Sequence, residues 1–234
     1  MSTTTHAIHN FSAGPCILPP SVLRQASEAV NDLDGSGLSL IEISHRSKPF
    51  VAIMEEARQL VRTELALPDH YEVLFLQGGA SLGFLTAAMN FLPESGSMDY
   101  TVTGTWAKKA LKEAQRVGQA KALTSSEETG FDRVPPLPGH TDADFVHITT
   151  NNTIFGTQYP GDPQVDAPLI ADMSSDIFSR PVDVTKYACI YAGAQKNMGP
   201  AGTVLYIYDR NKIGHTGRDI PSYLDLAVHA DKDS

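Results

Sequence analysis

Apolar residues recur along this chain in two rhythms, and the switch between them divides it into elements. Val22, Leu23, Ala26, Val30 and Leu33 follow Ser21, an N-cap residue type, at helical spacing. They predict a helix from Ser21 to about Leu33, stopped by Asp34-Gly-Ser-Gly37. Val51, Ile53, Met54, Ala57, Leu60, Val61 and Leu65 alternate with Glu and Arg, predicting a second helix over Phe50 to Leu67 that ends at Pro68-Asp69. The rhythm then becomes continuous. Tyr71-Glu-Val-Leu-Phe-Leu-Gln77 reads as a buried strand, followed by a Gly-rich turn and an apolar helix to Leu92. Met98 to Gly104 is a second strand, and Thr105 to about Val117 a helix with Ala107, Ala110, Leu111 and Ala114 inward and lysines outward. Gln119 to Thr124 is a short strand, and Ser125 to His140 a loop. Asp144–Thr149, Pro168–Asp172, Tyr187–Tyr191 and Gly202–Tyr208 read as strands, Ile154–Gln158 as extended, and Asp209–Ile213 as a helical turn. Gly214 to Ser234 reads as polar and irregular. Strands alternating with helices define the α/β class.

Composition narrows the function classes. A chain of 234 residues holds one large α/β domain or two small ones. Hydrophobic residues at 41% suit a packed core, and charged residues at 19% exclude a coiled coil or disordered chain. A net charge of -9 argues against nucleic acid as the main partner. Met1 to Asn10 is polar, without a signal-peptide pattern, and no run reaches the roughly 18 apolar residues of a membrane span. Cys16 and Cys189 make neither a disulfide framework nor a metal site, and the cytoplasm is the expected compartment.

Five stretches carry candidate chemistry. Lys196 lies between two apolar strands in Gly193-Ala-Gln-Lys-Asn-Met-Gly-Pro200. It is either a turn lysine in water or a Schiff-base lysine, whose amine partial burial would free as a nucleophile. Asp172 ends an apolar strand, as a turn aspartate or a buried partner for a cation. Gly78-Gly-Ala-Ser81 joins a strand to a helix, as a tight turn or a phosphate cradle that Ser81 also caps. It is neither a Walker loop nor a full GxGxxG. Trp106, the single tryptophan, sits at a strand-to-helix junction, in a core or stacked on a planar ligand. His45 and Arg46 between Ser44 and Ser47 are a solvated turn or an anion site.

Singly these signals are weak, but together they match one cofactor. Pyridoxal phosphate needs a phosphate site, a face to stack on, a carboxylate at its ring nitrogen and a lysine. The segments Asn10-Phe-Ser-Ala-Gly-Pro15, Glu42-Ile-Ser-His-Arg-Ser47, Phe75-Leu-Gln-Gly-Gly-Ala-Ser81, Gly104-Thr-Trp106, Asn151-Asn-Thr153, Ala171-Asp-Met-Ser-Ser175 and Gly193 to Pro200 also resemble, in order, those of the phosphoserine aminotransferases. These are class V aminotransferases of fold type I. The resemblance covers nearly the whole chain. It implies a large domain over 21–234 with a mixed, mostly parallel sheet flanked by helices, preceded by an N-terminal arm over 1–20.

By the same resemblance Lys196 holds the cofactor aldehyde and Asp172 pairs with its ring nitrogen. Trp106 stacks on the ring, and Thr153 bonds near the ring hydroxyl. Gly79, Ala80 and Ser81 hold the cofactor phosphate with support from Gln195. His45 and Arg46 bind the substrate phosphate, reaching into the neighbouring subunit of a homodimer. The implied reaction is transamination between glutamate and 3-phosphohydroxypyruvate in serine biosynthesis, giving O-phosphoserine and 2-oxoglutarate. Family chains continue into a C-terminal α+β domain with an arginine for the substrate α-carboxylate and an Asn-Thr-Pro segment for the cofactor phosphate. The expectation is therefore a chain poorly active alone, a fragment or one half of an enzyme completed by a C-terminal polypeptide. Three other readings compete. A cysteine desulfurase would have His where Gln195 stands. A cofactor-free structural fragment would not absorb near visible yellow. A nucleotide-binding domain leaves Lys196 unexplained.

Overall fold

The computed structural model describes residues 8–233, which divide into two compact units, one ending at Ala57 and the other beginning at Arg58. The first seven residues of the expected arm, and Ser234, lie outside the described residues.

In the first unit, helix α1 spans Pro20–Asn31. Its N-cap is Pro19 rather than Ser21, because a proline lacking an N–H is well placed in the first turn, where that donor would have no helical partner. The apolar stripe forms as expected, yet α1 buries no residue, and Leu23 remains 55% exposed. After α1 the chain folds back through Leu33 N–H to Leu38 O (2.8 Å) and Leu40 N–H to Ala29 O (2.9 Å). Helix α2, Lys48–Glu64, runs across the boundary between the units. It stops short of Leu67 because Ala66 turns left-handed at φ 48°, and Leu67 N–H returns to Arg62 O at 2.9 Å.

The second unit is built on a seven-stranded sheet. In chain order it comprises β1 (Tyr71–Gln77), α3 (Ala80–Phe91), β2 (Ser97–Val102), α4 (Thr105–Val117), β3 (Gln119–Ser125), β4 (Phe145–Thr149), β5 (Asn151–Asn152), β6 (Thr157–Gln158), β7 (Leu169–Asp172), β8 (Tyr187–Gly193), β9 (Thr203–Asp209) and α5 (Leu226–Asp231). The large sheet runs β1-β9-β8-β7-β4-β2-β3, while β5 and β6 form a separate small hairpin. Pairs from β3 to β8 are parallel, and β9 is antiparallel to both β8 and β1. One strand of seven therefore runs against the rest, which makes the sheet mixed and mostly parallel.

A sheet buried on both faces needs continuous apolar strands, and β8 is buried at every position. On one face Tyr100, Tyr191 and Tyr206 pack with Phe84 and Phe91 of α3 and Ala110 of α4. On the other, Val73, Val146, Ile148, Ile190 and Ile207 pack with Val61 of α2 and with Leu65. Helix α3 contains Gly83, Thr86 and Asn90, none a strong helix former. Burial holds it instead, at about 1.5–3 kcal/mol for a side chain such as Phe91.

Three further expectations are corrected. Ile154 to Gly156 is a turn rather than extended chain, since the N–H groups of Phe155 and Gly156 both return to Asn152 O. Strand β2 ends at Val102, before Gly104, because Asn152 Nδ2 donates to Thr103 Oγ1 at 2.9 Å and the chain turns there into α4. The stretch after Gly214 is not wholly irregular. The Asp225 carboxylate caps α5 by accepting from the N–H groups of Ala227 and Val228.

Candidate active site

Strands β1, β2, β4, β7 and β8 run in one direction, so their C-terminal ends open on one edge of the sheet, where open α/β folds form ligand crevices. A cavity of about 170 Å³ lies at that edge. Strand β7 delivers Asp172 to it, 5% exposed. Asp172 Oδ1 accepts from the Ser174 N–H at 3.0 Å and the Ser174 hydroxyl at 2.5 Å. Burial pushes the Asp172 carboxyl up to about 6. The two Ser174 bonds pull it down, the nearby Asp176 pushes it up, and the Lys196 charge pulls it down.

Lys196 follows β8 in a tight turn in which Met198 and Gly199 N–H groups both reach Ala194 O. Asn197 Nδ2 anchors this turn to Ile177 O at 2.9 Å. Lys196 and Gln195 are both half-buried and line the cavity.

Gly79 is the N-cap of α3, and no side chain caps that terminus. The first-turn N–H groups have no partners within a helix, so at Ala80 and Ser81 they are donors for an anion. Ser81 lies inside the first turn and is not the expected cap.

Trp106 is the second residue of α4. Its Nε1 donates to Thr153 Oγ1 at 3.3 Å, and Lys109 Nζ covers one ring face at 4.7 Å from the centroid. The buried Asn152 secures this corner by accepting from the Ala107 N–H as well as donating to Thr103. A Cβ on Gly104 would overlap the Asn152 side chain, so only glycine admits it there.

Beneath the cavity, His147 Nε2 meets Tyr191 OH at 2.8 Å, and the imidazole stacks on Tyr100 at 4.6 Å. Burial pushes His147 down to about 3, so it stays neutral at physiological pH. The Tyr191 ring packs so closely under α3 that a Cβ on Gly83 would stand 2.7 Å from it.

Eight of the sequence candidates, Gly79, Ala80, Ser81, Trp106, Thr153, Asp172, Gln195 and Lys196, line this one cavity. His45 and Arg46 belong to the first unit and are exposed there, with the Arg46 N–H donating to Ser44 Oγ at 3.1 Å. Phe84, Asn151, Ser174 and Ser175 also line the cavity and were not singled out. The serines follow Asp172 after one residue, Met173, and a polar pair just past a strand-end carboxylate was the available signal. Among the described residues no group of three or more His, Cys, Asp or Glu could hold a metal ion, and no helix is long and apolar enough to cross a membrane.

The family model described as aminotransferase class-V matches residues 8–216, and the chain belongs to that family. Within it, the chain is 52% identical to the phosphoserine aminotransferase of Flavobacterium psychrophilum, over 97% of this chain and 64% of that protein. It is 47% identical to that of Bacillus cereus, over the same shares of each. Among solved structures, the phosphoserine aminotransferase from Bacillus circulans subsp. alkalophilus superposes with a TM-score of 0.90 at 39% identity, covering 96% of this chain and 63% of that one. A PLP-bound phosphoserine aminotransferase from Trichomonas vaginalis gives 0.89 at 34%, covering 96% and 64%. The chain spans about 64% of the length of the curated relatives it matches.

Proposed function

We propose that this chain is the cofactor-binding portion of a pyridoxal-phosphate-dependent transaminase. The amino group would move between glutamate and 3-phosphohydroxypyruvate, giving O-phosphoserine and 2-oxoglutarate as in serine biosynthesis. One observation carries this reading: a half-buried lysine, a buried strand-end carboxylate, an indole and an uncapped helix N-terminus meet in a single cavity. That donor set fits the aldehyde, ring nitrogen, ring face and phosphate of the cofactor.

Pyridoxal phosphate, when bound, supplies an aldehyde that captures amines and a ring that accepts carbanion electrons. Lys196 Nζ is the amine for that aldehyde and, once displaced by substrate, carries the proton to and from the substrate α-carbon. Asp172, with Oδ1 engaged by Ser174, keeps Oδ2 for the ring nitrogen and holds the proton there. Gly79, Ala80 and Ser81 bind the phosphate, with Gln195 in support. Trp106 covers the ring and Thr153 meets the ring hydroxyl. His45 and Arg46 take the substrate phosphate, Arg46 through its planar fork.

In this reading 1–20 is an arm and 21–234 the cofactor-binding domain. A second copy of the chain completes a dimer, supported by the exposed Phe11, Ile17, Leu23 and Ile41. A polypeptide carrying the C-terminal part of the relatives' length completes the substrate site, and the enzyme acts in the cytoplasm.

The test is uptake of the cofactor. The chain mixed with pyridoxal phosphate should gain an absorbance band near visible yellow, and borohydride should fix the adduct on Lys196, located by peptide mass. Lys196→Ala should lose both. A chain that takes up no cofactor, or is labelled on another lysine, overturns the reading.

A further inference from the structure

We infer that Ser174 is a positioning residue that ties the Asp172 carboxylate to the turn carrying Lys196; the inference rests on the cofactor reading above for its purpose, though not for its geometry. A hydroxyl has one proton to give and two lone pairs to receive. Ser174 Oγ gives its proton to Asp172 Oδ1 at 2.5 Å and receives the Gly193 N–H at 3.0 Å. Gly193 is the last residue of β8, three before Lys196. One side chain thus spans the ends of two neighbouring strands. The Ser174 N–H adds a second bond to the same Oδ1 at 3.0 Å. That oxygen is held from two directions, so the carboxylate plane is fixed and Oδ2 is the oxygen left for a ligand.

Without the hydroxyl, the Gly193 N–H loses its partner beside a buried carboxylate that has lost one of two donors. The other groups facing Asp172 would be unchanged. These are Asp176 from the turn after β7, Lys196 from the turn after β8, and the Tyr191 hydroxyl of β8 with the neutral His147 of β4 behind it. Helices α3 and α4 present Ala80, Ser81, Phe84 and Trp106 to the cavity, none of them charged. A hydrogen bond to the charged form favours that form, so its loss makes Asp172 harder to ionise.

The test begins on the cofactor-free chain, by ¹³C-carboxyl NMR titration with the Asp172 signal assigned through Asp172→Asn. Ser174→Ala should raise the Asp172 midpoint by about one pH unit. Ser174→Thr, which keeps the hydroxyl, should restore it, and Ser175→Ala should leave it in place because the Ser175 hydroxyl donates to Asn151 O instead. If Ser174→Ala does not fold, Ser174→Cys, which replaces a strong donor by a weak one, must still move the midpoint upward. With pyridoxal phosphate added, Ser174→Ala should bind about tenfold more weakly at pH 7. An Asp172 midpoint that stays put in the Ala or Cys variant overturns the inference. A midpoint that moves in a chain whose parent binds no pyridoxal phosphate upholds the positioning role and removes the cofactor reading instead.

Discussion

Asp172 is a case where function and stability pull apart at one residue. Burial lifts its carboxyl to about 6, above the ordinary range near 4. The folded chain therefore binds the proton more tightly than the unfolded chain. The associated stability is fully present below about pH 4 and is lost as pH rises through 6. That displacement corresponds to roughly 3 kcal/mol. We expect Asp172→Asn to leave the cofactor-free chain more stable than its parent above pH 6, by up to that order, while weakening its hold on pyridoxal phosphate. Denaturant melts at pH 4 and pH 8 measure the first effect and cofactor titration the second; equal stability at pH 8 would remove the buried-charge argument. Gly83 is the opposite kind of residue. Its missing Cβ admits the Tyr191 ring, so Gly83→Ala should destabilise by about 1–3 kcal/mol through overpacking, read as a lowered denaturation midpoint. Asp172 and Lys196 were legible in the sequence because each ends an apolar run in a polar or small-residue turn. The role of Ser174 was not, because a polar pair after Asp172 marks a site residue but does not record that its hydroxyl reaches Gly193 on another strand.

Strands β7 and β8 were legible as elements because they are buried at every position and read as nearly unbroken apolar runs. In the hairpin β5–β6 the extended reading holds for Thr157–Gln158 and fails at the turn before it. Its residues are held by Asn152 and by Thr157 Oγ1 donating to Thr103 O, contacts made across sequence rather than by alternation. This corner also seats the only tryptophan. Asn152→Ala should free the start of α4 from the hairpin and loosen the Trp106–Thr153 contact. The expected outcome is a red-shifted, more quenchable tryptophan emission in the cofactor-free chain, and an unchanged emission would show that Asn152 does not set Trp106. Helix α5 was missed for a related reason. Six residues are too few to stand alone. Asn90 Oδ1 receives the Leu226 N–H at 3.0 Å, and Asn90 Nδ2 donates to Leu224 O at 2.7 Å. We expect Asn90→Ala to raise hydrogen exchange over residues 224–231 more than over the sheet.

At the scale of the molecule, the sequence pattern gave the α/β class and the resemblance a mixed sheet. The order of strands was out of reach, since β1 and β9 pair across almost the whole second unit. The amphipathic stripe of α1 was read correctly, but the described residues of this chain do not bury it. An unburied apolar stripe on a well-formed helix is what a second copy would cover. If the proposed dimer forms, Leu23→Glu combined with Ile41→Glu should shift the chain toward monomer in sedimentation; a monomeric parent would remove the dimer proposal, and a double variant that still dimerises would place the contact elsewhere.

Strand β1 lies at the sheet edge with β9 as its sole neighbour in the large sheet, and everything from α3 to β8 separates them in the chain. A ribosome releases β1 long before it has made β9. Through that interval an apolar strand of seven residues is left with open hydrogen-bonding edges, and such edges invite wrong pairings. Synthesis order thus leaves the early part of this chain prone to wrong pairing until β9, the last strand of the sheet to be translated, closes one of the two edges of β1.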